Sequence, residues 1–346
     1  MKYSLQIEDL HIEGYEQVLK ITCESVRLVA VIAIHQTKVG PALGGVRAFA
    51  YSQFDDGLQD ALWLSKAMTY KALISNTGTG GGKSVIFLPQ DLSHPTEDML
   101  RAFGQAVDSL QGKYIAAEDV GISVRDIMIM SEETSYVCGL EAISGDPSVY
   151  TAHGVFLCIQ ETVKYLWGGE IKGKRIAIQG LGAVGRKLVH ELFFAGADLI
   201  VCDRRKELLD EVVTLYEARV DEDIVSADCD ILCPCALGGI INTSSINRLR
   251  CRAIVGAANN QLEHSLIGQE LAARNILYAP DYLVNAGGLL NVTSPIGHPY
   301  SPKDVLQKVE NIPTTLRNLY ERSAQEKLDT EALANAIVEE RLAAYS

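Results

Sequence analysis

Two lysines, an aspartate and a set of glycine runs are the residues in this chain whose types and spacing could do chemistry. Lys71 closes Met68-Thr69-Tyr70-Lys71, Lys83 follows Gly80-Gly81-Gly82, and Asp119 stands in Ala116-Ala117-Glu118-Asp119-Val120-Gly121. Leu64, Met68 and Lys71 fall on one helical face, which carries the Lys71 ammonium toward the apolar side. The alternative is a lysine that buries its stem and keeps its head in water. Lys83 follows three glycines, a setting in which backbone and ligand can approach closely. Two ammonium groups converging on one pocket would depress each other's pKa, and apolar walls would add to that. Such an amine can act as acid and base near neutral pH. Asp119, at a strand's end, is a candidate proton carrier, or else a turn residue of the kind Asp commonly supplies. A phosphate-binding P-loop needs a glycine at position 77, where the chain has Thr77, so that reading fails by one residue.

A second constellation is Gly180-Leu181-Gly182-Ala183-Val184-Gly185. It follows the apolar Ile176-Ala177-Ile178, opens a helical pattern through Leu188, Val189 and Leu192, and precedes Asp203 by about 20 residues. That context predicts a dinucleotide site. Gly180 permits the tight turn, Gly182 lets backbone approach the pyrophosphate, and Gly185 lets helix and strand pack closely, while the helix N-terminus favours the phosphates. Asp203 would bond the ribose hydroxyls, which favours NAD. Arg204 and Arg205 follow at once and leave NADP open, unless they simply begin a solvated helix.

The elements that must position these groups can be read from the chain. Val18 to Thr22 and Leu28 to His35 read as strands, Asp56 to Ala72 as a helix, and Ser84 to Leu88 as a buried strand. A helix follows Thr96, Tyr114 to Ala117 is a short strand, and Ser123 has the character of an N-cap. Ser144-Gly145-Asp146-Pro147-Ser148 is turn-rich and marks a domain hinge. A helix is predicted from Thr151 to Trp167, and strands and helices then alternate from Arg175 to Tyr278, the pattern of a doubly wound parallel sheet. The tail from Pro302 to Tyr345 reads as helical, interrupted near Pro313.

Composition bounds the function. The 346 residues suit two domains, and 47% hydrophobic with 22% charged residues suits buried cores. A net charge of −13 argues against nucleic acid and against anionic membrane surfaces. The acidic N-terminal stretch is unlike a signal peptide, and the apolar run Leu28 to Ile34 is too short to span a bilayer. Eight scattered cysteines, with only a Cys233-Pro234-Cys235 pairing, point to reduced thiols, no metal and a cytoplasmic setting.

Taken in order, the motifs resemble the glutamate/leucine/phenylalanine/valine dehydrogenase superfamily, on the side of its leucine, phenylalanine and tryptophan dehydrogenases. The resemblance runs through Gly40-Pro41-Ala42-Leu43-Gly44-Gly45-Val46-Arg47, Met68-Thr69-Tyr70-Lys71, Gly80-Gly81-Gly82-Lys83 and Glu118-Asp119-Val120-Gly121. It continues in Gly180-Leu181-Gly182, Pro234-Cys235-Ala236-Leu237-Gly238, Ala258-Asn259-Asn260-Gln261 and Asn285-Ala286-Gly287-Gly288. It implies an N-terminal α/β substrate domain (residues 1–145), a Rossmann dinucleotide-binding domain (146–327), and a C-terminal helix (328–346) returning to the first domain.

The implied activity is reversible NAD-dependent oxidative deamination of an apolar L-amino acid by a homo-oligomer, dimeric or dimer-based. Lys83 and Asp119 would be catalytic, and Lys71 would hold the substrate carboxylate. Asn260 would contact both substrate and cofactor. Gly180, Gly182, Gly185, Asp203, Ala236, Ser148 and Thr151, with Pro147, would line the cofactor. Leu43, Gly44, Met68, Ala117, Leu289 and Val292 would form the substrate pocket. Leu43 stands where the glutamate-specific branch has a lysine, so a side-chain carboxylate would go unpaired. Ala117 resembles the leucine-type enzymes and Leu289 the aromatic-preferring ones, which leaves aliphatic and aromatic substrates both open. Ala67 replaces a glycine of the relatives and the tail past Leu342 is short, which leaves oligomer size open. The rival readings are a non-catalytic NAD-binding regulator of the same fold and a glutamate-type dehydrogenase.

Overall fold

Branched apolar residues build the first of two sheets. The computed structural model describes residues 3–345, and its strands in this region are β1 (Gln6–Asp9), β2 (Gln17–Cys23), β3 (Leu28–Gln36), β4 (Ala42–Phe49), β5 (Gly80–Phe87) and β6 (Tyr114–Ala117). Their order is β1-β2-β3-β5-β4-β6. The β1–β2, β2–β3 and β3–β5 pairings are antiparallel, whereas β4 runs parallel to both β5 and β6. Strand β3 is apolar on both faces because both are covered. Val31 and Ala33 pack with Ala61 and Leu62 of the helix Phe54–Ile74. Ala30, Ile32 and Ile34 pack with Leu100 and Phe103 of the helix Glu97–Ser109 and with Met130 of the helix Val124–Ser131.

The predicted caps form. Thr96 accepts from the Met99 N–H, and Ser123 and Asp126 make a reciprocal capping box, each such cap contributing about 1 kcal/mol.

The second sheet comprises β7 (Arg175–Gln179), β8 (Asp198–Cys202), β9 (Arg219–Val220), β10 (Ile231–Pro234), β11 (Ala253–Ile254) and β12 (Leu277–Tyr278). All of its pairings are parallel, in the order β12-β11-β10-β7-β8-β9. The strand order therefore reverses between β7 and β10, as in a dinucleotide-binding doubly wound sheet.

The chain divides into two units: residues up to Gly145 with Val292–Tyr300 and Arg341 onward, and Asp146–Asn291 with Ser301–Glu340. The tail, expected as a helix returning to the first domain, is shared between the two units. Thr330 donates to the Tyr278 carbonyl at 2.6 Å, and Leu333, Ala334 and Val338 are buried, so this helix up to Glu340 belongs to the second unit. Only its end groups with the first, where Arg341 donates to the Leu73 carbonyl at 2.5 Å. Proline 313 lies in the first turn of the helix Ile312–Glu326, which restarts after Pro302–Glu310, so the tail is interrupted rather than bent. The helix predicted from Thr151 begins at Pro147, with Asp146 capping the Ser148 N–H.

Among the described residues no helix is long and apolar enough to cross a membrane.

Candidate active site

Lys83 is set in the interior of β5. The register pairs Val46 with Ser84, so one residue earlier Lys83 is level with Gly45 of β4, and Gly45 pairs in turn with Ala117 of β6. Asp119 follows two residues after the end of β6. Strand β4 thus separates the lysine from the aspartate, and the lysine must reach across it. Gly45 makes this feasible. A Cβ there would lie 2.7 Å from the Asp119 Cβ and 3.3 Å from Lys83 Nζ. Across that gap Lys83 Nζ donates to Asp119 Oδ2 at 2.5 Å. The lysine is 6% exposed, so an ammonium is sequestered with one carboxylate as its partner.

The glycine run that resembled a phosphate loop is strand. Gly81 lies beneath the helix Phe54–Ile74, where a Cβ would meet the Thr69 N at 2.2 Å. This close approach sets the Met68–Lys71 stretch over β5, two residues before Lys83.

Three more side chains extend the pair. Arg47 Nε donates to the same Asp119 Oδ2 at 3.1 Å, and its Nη1 donates to Asp60 Oδ2 at 3.0 Å. Tyr51 donates its hydroxyl to Asp60 Oδ2 at 2.6 Å. Burial pushes the Lys83 pKa down; Asp119 opposes this, Arg47 adds to it, and the result lies below the ordinary lysine value. For Asp119, burial acts upward but is outweighed by the charge and hydrogen bond of Lys83 and by Arg47, so its carboxyl titrates below the ordinary range. A lysine with a lowered pKa beside an ionised carboxylate gives up its proton more readily than an ordinary lysine, as an acid/base group must. Burial, the apolar contribution expected from the sequence, is the first cause, and Arg47, not singled out there, adds to it.

The other substrate-side candidates are placed as follows. Leu43 is 2% exposed and alternates onto the same face of β4 as Gly45 and Arg47, and Gly44 packs its backbone against Gly82. Met68, Lys71, Ala117 and Val292 are half-buried. All of these belong to the first unit, whereas buried Leu289 and exposed Asn260 belong to the second.

In the second unit the candidate cofactor residues cluster at the carboxyl ends of β7 and β10, where ligands bind such sheets. Gly180 has φ +96°, and a Cβ on it would stand 2.6 Å from the Ala236 Cβ. A Cβ on Gly185 would strike the Gly180 carbonyl at 2.0 Å, while Gly182, the N-cap of the helix Ala183–Phe194, faces open space. Such open space beside a helix N-terminus fits a pyrophosphate. Asp203 Oδ2 accepts from the Leu181 N–H at 2.6 Å, and Oδ1 accepts from the Arg205 N–H and from Arg205 Nε at 2.9 and 3.1 Å. Burial alone would raise the Asp203 pKa, but the Arg205 and backbone hydrogen bonds hold it at about 2.

The loop after β10 packs on the Asn259–Asn260 turn, where Gly239 donates to the Asn260 carbonyl at 2.7 Å and Asn260 has φ +52°. Ser148 donates to Asp146 at 2.6 Å and receives Lys187 at 2.8 Å. A Cβ on Gly288 would lie 2.7 Å from the Thr151 hydroxyl, which brings the Asn285–Gly288 motif against the helix Pro147–Trp167.

Arg47, Asp60 and Tyr51 were not singled out for a role from sequence. Alternation puts Arg47 on the face of Gly45, a signal that was there to read. The contact with Asp60, 13 residues away on a helix, has no such signature.

Residues 16–136 match the family model described as Glu/Leu/Phe/Val dehydrogenase, dimerisation domain, and residues 144–209 and 201–344 match Glutamate/Leucine/Phenylalanine/Valine dehydrogenase. The chain is 41% identical to a leucine dehydrogenase of Bacillus subtilis, covering 95% of this chain and 91% of that one. It is 42% identical to an L-tryptophan dehydrogenase of Nostoc punctiforme, covering 98% and 96%. A crystal structure of L-tryptophan dehydrogenase from Nostoc punctiforme superposes with a TM-score of 0.87 at 40% identity, covering 96% of this chain and 97% of that one.

Proposed function

Because the chain belongs to the glutamate/leucine/phenylalanine/valine dehydrogenase family, we propose that it oxidatively deaminates an apolar L-amino acid, branched-chain or aromatic, to the 2-oxo acid and ammonia. The observation that carries this reading is the buried Lys83 paired with the half-buried Asp119, 2.5 Å apart across Gly45. A bound nicotinamide dinucleotide supplies the hydride acceptor.

Each protein group has a part. Lys71 holds the substrate carboxylate. Asp119 takes the proton that the substrate ammonium must lose before Cα can give up hydride, and later returns a proton to the departing amine. Lys83, with its lowered pKa, deprotonates the water that attacks the iminium carbon of the substrate. Asn260 orients substrate and cofactor. The apolar side-chain pocket, with Leu43 in its wall, leaves a substrate carboxylate without a partner, which disfavours glutamate. Asp203 is ionised throughout the neutral range and would repel a 2′-phosphate, which favours NAD over NADP; Arg205 is already turned onto that carboxylate. The match of 16–136 to a dimerisation domain supports a dimer-based homo-oligomer, and eight free cysteines accord with a cytoplasmic protein.

The test is a panel of leucine, valine, isoleucine, phenylalanine, tryptophan and glutamate, each with NAD and with NADP, followed by absorbance of the reduced cofactor at alkaline pH. Turnover with an apolar member and NAD supports the proposal. Silence across the apolar members, or preference for glutamate, refutes it. Lys83→Ala should abolish turnover while retaining dinucleotide affinity.

A further inference from the structure

A buried lysine that must lose its proton beside a half-buried carboxylate faces an electrostatic problem. As the amine becomes neutral, the carboxylate loses its cation and is stranded in a site where an unpaired charge is costly. The structure holds an answer on the strand between them. Arg47 places Nε on Asp119 Oδ2, the oxygen that Lys83 also holds, so Asp119 keeps a permanently charged partner whichever state Lys83 is in. Its Nη1 is fixed by Asp60 Oδ2, which in turn accepts from the Tyr51 hydroxyl. A planar guanidinium gripped at two nitrogens by two carboxylates has little freedom to turn.

We propose that Arg47 is a positioning residue for the deamination, locked by Asp60 and Tyr51, which pins the Asp119 carboxylate through Oδ2 in place beside Lys83. The proposal rests on the dehydrogenase reading above. Asp119 is met by Lys83 from β5 and Arg47 from β4; Lys83 is met by Asp119, by Arg47 and, from the helix Phe54–Ile74, by Asp60. Arg47 draws the Lys83 pKa down and Asp60 draws it up. Removing one or the other should therefore move proton release in opposite directions, which loss of mere scaffolding would not do.

Three variants test this: Arg47→Gln, Arg47→Lys and Asp60→Asn. Two readouts are compared, the pH profile of kcat/KM with leucine or whichever panel member is best, and the pH midpoint for carbamylation of Lys83 by cyanate, followed by peptide mass. Only the neutral amine adds to the carbon of isocyanic acid, so the midpoint reports Lys83 without any need for turnover. R47Q should shift both midpoints alkaline by about half a pH unit or more. It should also lower kcat about tenfold or more, with a smaller change in KM. D60N should shift both midpoints the other way. R47K keeps the charge without the fork, so its midpoints should stay near wild type while kcat falls. Midpoints unmoved in R47Q, or moved the same way in R47Q and D60N, overturn the proposal. Should R47Q fail to fold, the R47K split and the D60N shift still decide it. A wild-type protein that oxidises no amino acid defeats the dehydrogenase reading instead, and the cyanate midpoints still report on Arg47.

Discussion

Replacing Gly45 with alanine adds one methyl group at the point where Lys83 crosses β4. The backbone there is not in the left-handed region, so alanine can adopt it and the perturbation is steric alone. The new carbon would sit 2.7 Å from the Asp119 Cβ and 2.9 Å from the Glu118 carbonyl oxygen, whereas carbon atoms pack at about 3.5–4.0 Å. Neither neighbour is the tip of a flexible chain, so the Glu118–Asp119 segment must retreat by about 1 Å. That displacement pulls Oδ2 away from both cations that hold it. A misplacement of about 1 Å at a catalytic group costs on the order of a hundredfold in rate, equivalent to about 2.7 kcal/mol of barrier.

We therefore expect Gly45→Ala to lower kcat for the best apolar amino acid by about a hundredfold. Dinucleotide affinity should be retained, since that site is built from the other unit. The assays are steady-state kinetics, dinucleotide titration by fluorescence quenching, and a thermal melt to separate misplacement from the general destabilisation that overpacking brings. A variant that melts like the wild type and keeps kcat within about threefold would refute the claim that Gly45 is the gap through which the pair forms.

Two further predictions concern stability against pH. The Asp203 carboxyl is held at about 2, below its ordinary value, so its ionised form stabilises the folded state above the unfolded pKa of about 3.9, and this is lost as pH falls toward 2. Asp203→Asn should accordingly lower the urea midpoint at pH 5 and converge on wild type as pH drops through that window; a constant difference would contradict the assignment. Glu331 behaves oppositely: burial and then Asp281 raise it to about 7, so the folded state prefers its protonated form. Its contribution is fully present below the unfolded value of about 4.3 and is lost as pH rises through 7, a penalty of order 3 kcal/mol. Glu331→Gln should raise the unfolding midpoint at pH 8 and leave it unchanged near pH 4, and a variant no more stable than wild type at pH 8 would refute this.

Local signals carried much of this fold. Apart from β9, the exposed pair Arg219–Val220, the second sheet was legible because its strands are short apolar runs bounded by turn residues, and because the glycine turn, its helix and Asp203 occur at fixed spacing. Ser123 and Thr96 announced their helices because capping is a matter of a few neighbouring residues. The glycines before Lys83 were harder. They suggest a loop by propensity, yet Gly80–Gly82 are strand because a helix and a tyrosine ring press on them from either side, a tertiary requirement that leaves no periodicity. The tail's partner was hidden for a related reason. Its apolar residues show that it packs, but not on what, and the contact of Thr330 with Tyr278 joins residues 52 apart. Lys83 and Asp119 were identifiable as chemical groups, whereas Asp60, whose role is to hold Arg47, looks like any acid in a helix's first turns.

Mounting the amine inside a hydrogen-bonded strand has a consequence for how this scaffold can diversify. Lys83 is indexed by the ladder between β3 and β4, so moving it would mean slipping a strand and inverting every residue's face. Met68, by contrast, projects from a helix surface, and Ala117 sits at a strand's last residue, where a change of bulk disturbs no ladder bond. On the proposed function, appetite for one amino acid or another would drift by swapping such peripheral side chains, while the amine would stay anchored to a lattice that small steps cannot retune.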